Sequence, residues 1–223
     1  MNVAQPGTGT VSHTQIKICG FTRPDQALAA AELGIDSIGL VFYPPSPRFV
    51  TIDQAREIAC NLPPFLAVTA LFLDATADEV QAVLDAVPVN LLQFHGTETE
   101  AFCDSFGRPY IKAVAMGSIT QADEYCAGYR SARGFLLDSN SAGAAGGSGD
   151  TFEWSRIPRA LPAPVILAGG IDAGNVGQGI AAVRPGAVDV SSGVESSRGV
   201  KDTAKMQRFV AAVREADRKL ASR

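Results

Sequence analysis

The sequence predicts an α/β fold built as a single-domain (β/α)8 barrel, the architecture known as the TIM barrel. The chain has 223 residues and 46% of them are hydrophobic, which is enough to build one sizeable core. Short apolar stretches recur about every 20 to 30 residues, and segments with helical spacing lie between them. Right-handed crossovers turn such repeated units into an open doubly wound sheet or a closed barrel, and eight units favour the barrel.

Eight apolar stretches are predicted to form the strands of this barrel. Most are rich in Val, Ile, Leu or Phe without strict alternation, as expected for parallel strands that are buried on both faces. In chain order they cover residues 16–19, 37–42, 66–72, 89–95, 110–116, 134–139, 165–170 and 187–194.

Seven segments between the strands have the spacing of helices. The first opens with Pro24, which suits a first helical turn, and stops at Gly34, a residue typical of helix ends. Several others open on Thr or Asp, whose side chains accept hydrogen bonds from the free N–H groups of a first turn. The predicted helices cover residues 24–33, 53–60, 76–86, 97–106, 120–127, 172–183 and 202–220.

The sixth unit is the least regular part of the pattern. Residues 139–150 are mostly Gly, Ser and Ala, and the segment around Trp154 is poorly periodic. The stretch is either a linker or a mobile loop beside the active site, and the sequence leaves both readings open. An open dinucleotide-binding sheet is disfavoured, because Gly147-x-Gly149 is followed by Phe152 where that motif needs a third glycine.

Composition and the amino-terminal residues restrict the class of protein. The chain has 19 basic and 23 acidic residues, and the net charge of −4 disfavours a nucleic-acid partner. Residues 1–14 lack the basic and apolar segments of a secretory signal, and apolar runs of about nine residues are too short to span a membrane. We therefore expect a cytoplasmic protein with a disordered extension over residues 1–14 and a catalytic barrel over residues 15–223.

The residue types that bind transition metals are few. The chain has four cysteines that form no CxxC pair, and its only histidines are His13 and His95. Zinc sites built from short motifs need closer spacing than this. We expect no metal, and thiols that stay reduced as they do in the cytoplasm.

The strand ends supply candidates for catalysis, because active sites of this fold collect at the carboxyl ends of the strands. Cys19 ends the first predicted strand and Asp138 lies near the end of the sixth, so they are candidates for a general base and a general acid. A lone Cys is also commonly a small buried hydrophobic residue. Asp138 could instead anchor the loop that begins at Ser139.

Other strand ends suggest groups that bind a substrate. Gly169 and Gly170 follow the seventh strand, and Ser192 and Gly193 follow the eighth, which is where this fold recurrently binds phosphate. Tight turns without a ligand are the alternative. Arg48 follows three prolines after the second strand and could hold a carboxylate, or could be a solvated surface residue.

The fourth strand adds two polar candidates. Gln93 and His95 share one face, because residues two apart in a strand point the same way. His95 could carry a proton, although an interior histidine with satisfied hydrogen bonds is the plainer interpretation.

Seven short motifs occur in an order that matches one family. They are Lys17-Ile18-Cys19-Gly20, Ser46-Pro47-Arg48, Leu92-Gln93-Phe94-His95-Gly96, Leu137-Asp138-Ser139, Gly146-Gly147-Ser148-Gly149 with Phe152-Glu153-Trp154, Leu167-Ala168-Gly169-Gly170-Ile171, and Asp189-Val190-Ser191-Ser192-Gly193-Val194-Glu195. Together they resemble the phosphoribosylanthranilate isomerase family of tryptophan biosynthesis. The resemblance covers about residues 15–220, and Ser148 stands where the family usually has threonine.

The resemblance implies an Amadori rearrangement of N-(5-phosphoribosyl)anthranilate, without a cofactor and by a monomer. Cys19 would be the general base, Asp138 the general acid and Arg48 the residue that binds the anthranilate carboxylate. The backbone around Gly147, Gly170, Ser192 and Gly193 would bind the phosphate, while Gly169, Gln93 and His95 complete the substrate-binding residues.

Three alternatives are less favoured. The related isomerase of histidine biosynthesis would have an aspartate in place of Cys19 and a second phosphate site after the third strand. Indole-glycerol-phosphate synthase would need a helical extension at the amino terminus. A binding barrel without catalysis would tolerate losing Cys19 or Asp138, and this chain keeps both.

Overall fold

The computed structural model describes residues 13–139, 153–158 and 160–222. Eight parallel strands form a closed barrel in which neighbours in the chain are neighbours in the sheet. The strands are β1 Gln15–Cys19, β2 Ser37–Val41, β3 Ala67–Phe72, β4 Leu91–Phe94, β5 Tyr110–Ala115, β6 Phe135–Asp138, β7 Val165–Leu167 and β8 Ala187–Val190.

The first strand closes the barrel because it pairs with both the second and the eighth. Lys17 of β1 is the register partner of Ser37 on one side and of Asp189 on the other. The predicted (β/α)8 fold is therefore confirmed. Seven of the eight predicted strands are present with shorter ends, while β1 begins one residue earlier than predicted.

Helices cover the outside of the barrel. They are α1 Pro24–Glu32, α2 Ile52–Cys60, α3 Ala77–Ala86, α4 Glu100–Asp104, α5 Ala122–Ala127, α6 Val176–Val183 and α7 Thr203–Ala221. The sixth unit differs, since a 3-10 turn at Trp154–Arg156 is the only helical element between β6 and β7 in the part of the chain that is described.

Side-chain caps fix the starts of several helices. Thr51 and Thr76 each accept a hydrogen bond from the backbone N–H three residues on, and the side chain there bonds back to the cap, which makes two capping boxes. Asp202 accepts from the N–H of Lys205 in the same way. Each cap fixes the point at which a loop joins the following helix, and so it helps to position the residues of that loop.

Two elements were predicted to be longer than they are. Residues 191–194 do not extend the last strand: a 3-10 turn at Ser192–Val194 leads into an antiparallel hairpin of β9 (Glu195–Ser197) and β10 (Val200–Lys201). The helix predicted from residue 172 begins only at Val176, because the Asp172 carboxylate accepts from the N–H groups of Gly174 and Asn175 and forms a turn there.

The core has two compartments. The large one lies between the sheet and the helices. A small apolar cluster inside the barrel contains Ile111, Ala113 and Leu136 from β5 and β6, and Ala168, which directly follows β7. The opposite side of the barrel interior holds polar side chains from β1 and β8. The candidate site lies next to this polar side.

The amino-terminal end of the barrel is tied to its last helix. The N–H and hydroxyl of Thr14 donate to Asp217 at 3.0 and 2.6 Å, and Arg214 donates to the Thr14 carbonyl at 2.6 Å. Thr14 therefore belongs to the barrel, not to the predicted extension, most of which lies outside the described residues. None of the described helices is long and apolar enough to cross a membrane.

Candidate active site

A cavity opens at the carboxyl ends of the strands, where sequence reasoning placed the site. Eight of the predicted site residues line it: Cys19, Arg48, Gln93, His95, Asp138, Gly169, Gly170 and Ser192. Gly193 lies directly behind this lining, and Gly147 falls outside the described residues. The structure thus brings together side chains from β1, β4 and β6 with the loops after β2, β7 and β8.

Cys19 contributes a thiol that is 6% exposed. It has room because its neighbour across the sheet is Gly39, where a Cβ atom would lie 2.5 Å from Sγ. Burial raises the pKa of the Cys19 thiol, although the ammonium groups of Lys17 and Lys201 act in the opposite direction. Burial thus favours the thiol form of Cys19, whereas the two nearby cations favour its thiolate.

Lys17 and Asp189 form a buried ion pair beneath the cavity that sequence reasoning did not identify. Nζ of Lys17 lies 2.9 Å from Oδ2 of Asp189, and both side chains are less than a tenth exposed. Burial alone would lower the pKa of Lys17, but the negative charge of Asp189 holds it above its ordinary value. The clue was available, because Lys17 shares a face of β1 with Cys19 and is charged within an otherwise apolar strand.

Asp138 reaches the cavity from the end of β6 and contacts His95 at the end of β4. Nε2 of His95 lies 3.4 Å from Oδ2 of Asp138, and Nδ1 lies 3.2 Å from the amide nitrogen of Gln93. The hydrogen bond to Gln93 engages Nδ1 and thereby directs Nε2 of His95 at Asp138. Oε1 of Gln93 is buried without a hydrogen-bond partner among the described residues.

Arg48 is buried rather than solvated. Its Nε and Nη2 each donate to a different oxygen of Glu195 at 2.8 Å, and a glycine at position 20 leaves room for its side chain, since a Cβ there would lie 2.4 Å from Cδ of Arg48. Burial alone would raise the pKa of Glu195, but hydrogen bonds from Arg48 and the charge of Lys201 hold it below its ordinary value. Sequence reasoning missed Glu195 and Lys201, which lie on the unpredicted hairpin.

The loops after β7 and β8 bring backbone N–H groups to one side of the cavity. Gly169 and Gly170 both have positive φ angles, 76° and 63°, which favour glycine. A Cβ at Gly193 would lie 2.2 Å from the Ile171 carbonyl, so this glycine lets the two loops touch. Among the described residues, the N–H groups of Gly170, Ser192 and Gly193 find no hydrogen-bond acceptor, which leaves them available to an anion.

A thiol, a carboxyl group and a guanidinium group around one cavity of a (β/α)8 barrel define an acid–base enzyme that acts on a small molecule. A family model described as N-(5'phosphoribosyl)anthranilate (PRA) isomerase matches residues 16–212. The N-(5'-phosphoribosyl)anthranilate isomerase of Pseudomonas putida (strain W619) is 52% identical over 206 residues, which are 92% of this chain and 100% of that protein. The chain belongs to the N-(5'-phosphoribosyl)anthranilate isomerase family.

Solved structures agree with this assignment. A phosphoribosyl anthranilate isomerase in complex with reduced 1-(o-carboxyphenylamino)-1-deoxyribulose 5-phosphate has 32% identity and a TM-score of 0.77, over 91% of this chain and 99% of that one. Monomers generated from the dimeric isomerase of Thermotoga maritima give the same four values. The chain is thus an isomerase of tryptophan biosynthesis by family, and the predicted family is confirmed.

Proposed function

We propose that this protein catalyses the Amadori rearrangement of N-(5-phosphoribosyl)anthranilate to 1-(2-carboxyphenylamino)-1-deoxyribulose 5-phosphate, an aldose–ketose isomerisation. The observation that carries the proposal is the placement of Cys19 and Asp138 on different strands of one cavity, with Arg48 and the glycine-rich loops also at its wall. An isomerisation that moves a proton between carbons needs a base and an acid that face the same substrate.

The reaction begins with the furanose ring. Asp138 gives its proton to the ring oxygen, the C1–O bond breaks, and the nitrogen lone pair forms a C1=N double bond. The Cys19 thiolate then removes the C2 proton to give an enolamine. Protonation at C1 and loss of the C2 hydroxyl proton give the ketone. A net proton transfer from the Cys19 thiol to the Asp138 carboxylate then restores the thiolate and carboxyl forms, so no redox partner or cofactor is consumed.

The substrate ends would be bound by different parts of the wall. Arg48 binds the anthranilate carboxylate, since a guanidinium group matches a carboxylate in charge and geometry. The phosphate is held by backbone N–H groups at Gly170, Ser192 and Gly193, together with the loop that contains Gly147. Gln93, His95 and Gly169 complete the binding surface around the ribose.

The test is turnover of N-(5-phosphoribosyl)anthranilate that is generated in the assay, followed by the loss of its fluorescence. Wild-type protein should consume it, and Cys19→Ser should lower kcat by at least about 10²-fold, because general-base catalysis contributes about 10²–10⁴-fold. Cys60→Ser is the matched control, since Cys60 is exposed and away from the cavity. An inactive wild type, or full kcat in Cys19→Ser, would overturn the proposal.

We also propose that the protein acts as a cytoplasmic monomer. All four cysteines are free thiols, which suits a reducing compartment. Four large apolar side chains are exposed among the described residues, Leu28, Phe49, Phe65 and Val200, and most of the others are buried in the core. Light scattering of the purified protein checks the oligomeric state, and a mass of two chains would contradict it.

A further inference from the structure

Lys201 is a buried cation for which the proposed reaction has no use. It lies on β10, in the hairpin that follows the barrel, and its side chain has no exposure to solvent. Nζ donates to Oε1 of Glu195 at 2.7 Å and to the carbonyl of Ser191 at 3.2 Å. A buried ammonium group is costly unless it is paired and hydrogen-bonded, so these two partners fix its position closely.

The first partner of Lys201 is Glu195, which connects it to Arg48 at the proposed carboxylate-binding end of the cavity. Glu195 receives the ammonium of Lys201 on Oε1 and, through both oxygens, the two parallel hydrogen bonds from Arg48. Lys201 therefore holds the carboxylate that holds Arg48. A bidentate pair is strict about geometry, so a shift of Glu195 would be transmitted to the guanidinium.

The second partner is the Ser191 carbonyl, which connects Lys201 to the proposed base, Cys19, and to the proposed phosphate-binding loop. Ser191 follows the last residue of β8, and its hydroxyl donates to the carbonyl of Cys19 at 3.0 Å. The next residue is Ser192, which lines the cavity and whose N–H group is among those available to an anion. By bonding to the Ser191 carbonyl, Lys201 sets the start of this loop and, through the Ser191 hydroxyl, the backbone of the thiol residue.

The hairpin itself is held by the loops after β1 and β2. Thr22 donates to the Gly199 carbonyl at 2.9 Å, and the Lys201 N–H donates to Gln26 at 3.2 Å. A Cβ at Gly199, which has a φ of 80°, would lie 2.6 Å from the Pro47 carbonyl. The hairpin is thus hydrogen-bonded to the loop after β1 and to α1, and it lies against the loop after β2.

We propose that Lys201 is a positioning residue that couples the two charged ends of the substrate site, with one branch through Glu195 to Arg48 and one through Ser191 to Cys19 and the phosphate-binding loop. The inference rests on the proposed function. It explains how the residues that bind the carboxylate and those that bind the phosphate are held in position relative to each other. It assigns Lys201 no contact with the substrate.

Binding of two separate fragments distinguishes the branches. Inorganic phosphate and anthranilate are titrated by calorimetry into the whole protein and into Lys201→Met, Glu195→Gln and Ser191→Ala. Loss of a hydrogen bond to a charged group should weaken binding at the affected end by about tenfold. Glu195→Gln should weaken anthranilate alone and Lys201→Met should weaken both. Ser191→Ala keeps the carbonyl that bonds to Lys201 and removes the hydroxyl that bonds to Cys19, so it should change neither affinity.

Lys219→Met is the control, because it removes the same charge from an exposed position of α7 and should change neither affinity. Steady-state kinetics add a second readout: Lys201→Met should raise KM more than a variant of either branch alone. Lys201→Met that weakens one fragment or none overturns the inference.

If Lys201→Met does not fold, Lys201→Gln is measured in its place, since it removes the charge but keeps a hydrogen-bond donor. It should again weaken both fragments, and an effect on one fragment or on none would overturn the inference. Fragment binding does not depend on turnover. A wild type that binds both fragments without turning over the substrate would therefore contradict the proposed function and not this inference.

Discussion

Nε2 of His95 lies 3.4 Å from Oδ2 of Asp138, so the proposed general acid has an imidazole nitrogen beside it. Because Gln93 is hydrogen-bonded to the other ring nitrogen, Nε2 stays directed at the carboxyl group. Asp138 and His95 therefore form one unit, and changing each of them in turn assigns the acid.

Asp138→Asn should separate the two. The amide keeps the size of the side chain and can still accept from His95, but it cannot deliver a proton to the ring oxygen. We expect kcat to fall by at least about 10²-fold with little change in KM. His95→Gln should cost less, since it removes only the neighbour. The reverse order in the measured kcat values would make His95 the acid.

The pH dependence of alkylation tests the state of Cys19. Its pKa is raised above the ordinary value of 9.0 by burial, and the thiolate is the reactive form. Inactivation by iodoacetamide should therefore accelerate about tenfold per pH unit from pH 7 to 9. A Cys60→Ser background removes the exposed thiol, while burial raises the pKa of Cys103 and of Cys126 to about 12, so neither competes. A plateau already reached below pH 8 would show that the cations beside Cys19 prevail over burial.

Gly39→Ala should impair the site without touching any functional group. The new Cβ would lie 2.5 Å from Sγ of Cys19, so the thiol must move. We expect kcat to fall at least about tenfold, because a misplacement near 1 Å can cost about a hundredfold, and the melting temperature to fall. Gly177→Ala is the control, since its nearest neighbour would be 3.9 Å away. Equal activity of the two variants would show that Cys19 needs no fixed position.

Glu98→Ala should destabilise the barrel. Lys112 is fully buried and bonds to Glu98 at 3.1 Å and to the Gly96 carbonyl at 2.6 Å, while Glu98 also accepts the N–H of Asp74. Leaving the ammonium without its carboxylate should lower the free energy of unfolding by about 3–5 kcal/mol in urea titrations. Glu215→Ala, which breaks exposed pairs on α7, should cause no measurable change. A small effect at Glu98 would mean that the backbone carbonyls alone satisfy Lys112.

The sequence was sufficient for the barrel and for most of the cavity wall. Repeated apolar stretches predict parallel strands, and the topology then places Cys19, His95 and Asp138 at the same rim. Lys17 could have been found by the same logic, because it shares a face with Cys19.

Glu195 and Lys201 could not be found in this way. Val194 is apolar and follows β8 closely, so the pattern suggested a longer strand, whereas a turn at Ser192–Val194 redirects the chain into a hairpin. Only barrel closure brings that hairpin against the loop that contains Arg48. A partnership across 147 positions of sequence leaves no periodic trace.

The pairing of β1 with β8 has a consequence for how the protein is made. During synthesis Lys17 and Cys19 leave the ribosome long before Asp189 and Lys201. Until then Lys17 has no carboxylate to pair with, and the first strand has an open edge that could pair with another chain. Barrel closure must therefore be a late step of high contact order. The Cys19 thiol becomes buried and the Lys17–Asp189 ion pair forms in that same step. The nascent chain should need protection most in the interval between the synthesis of β1 and that of β8.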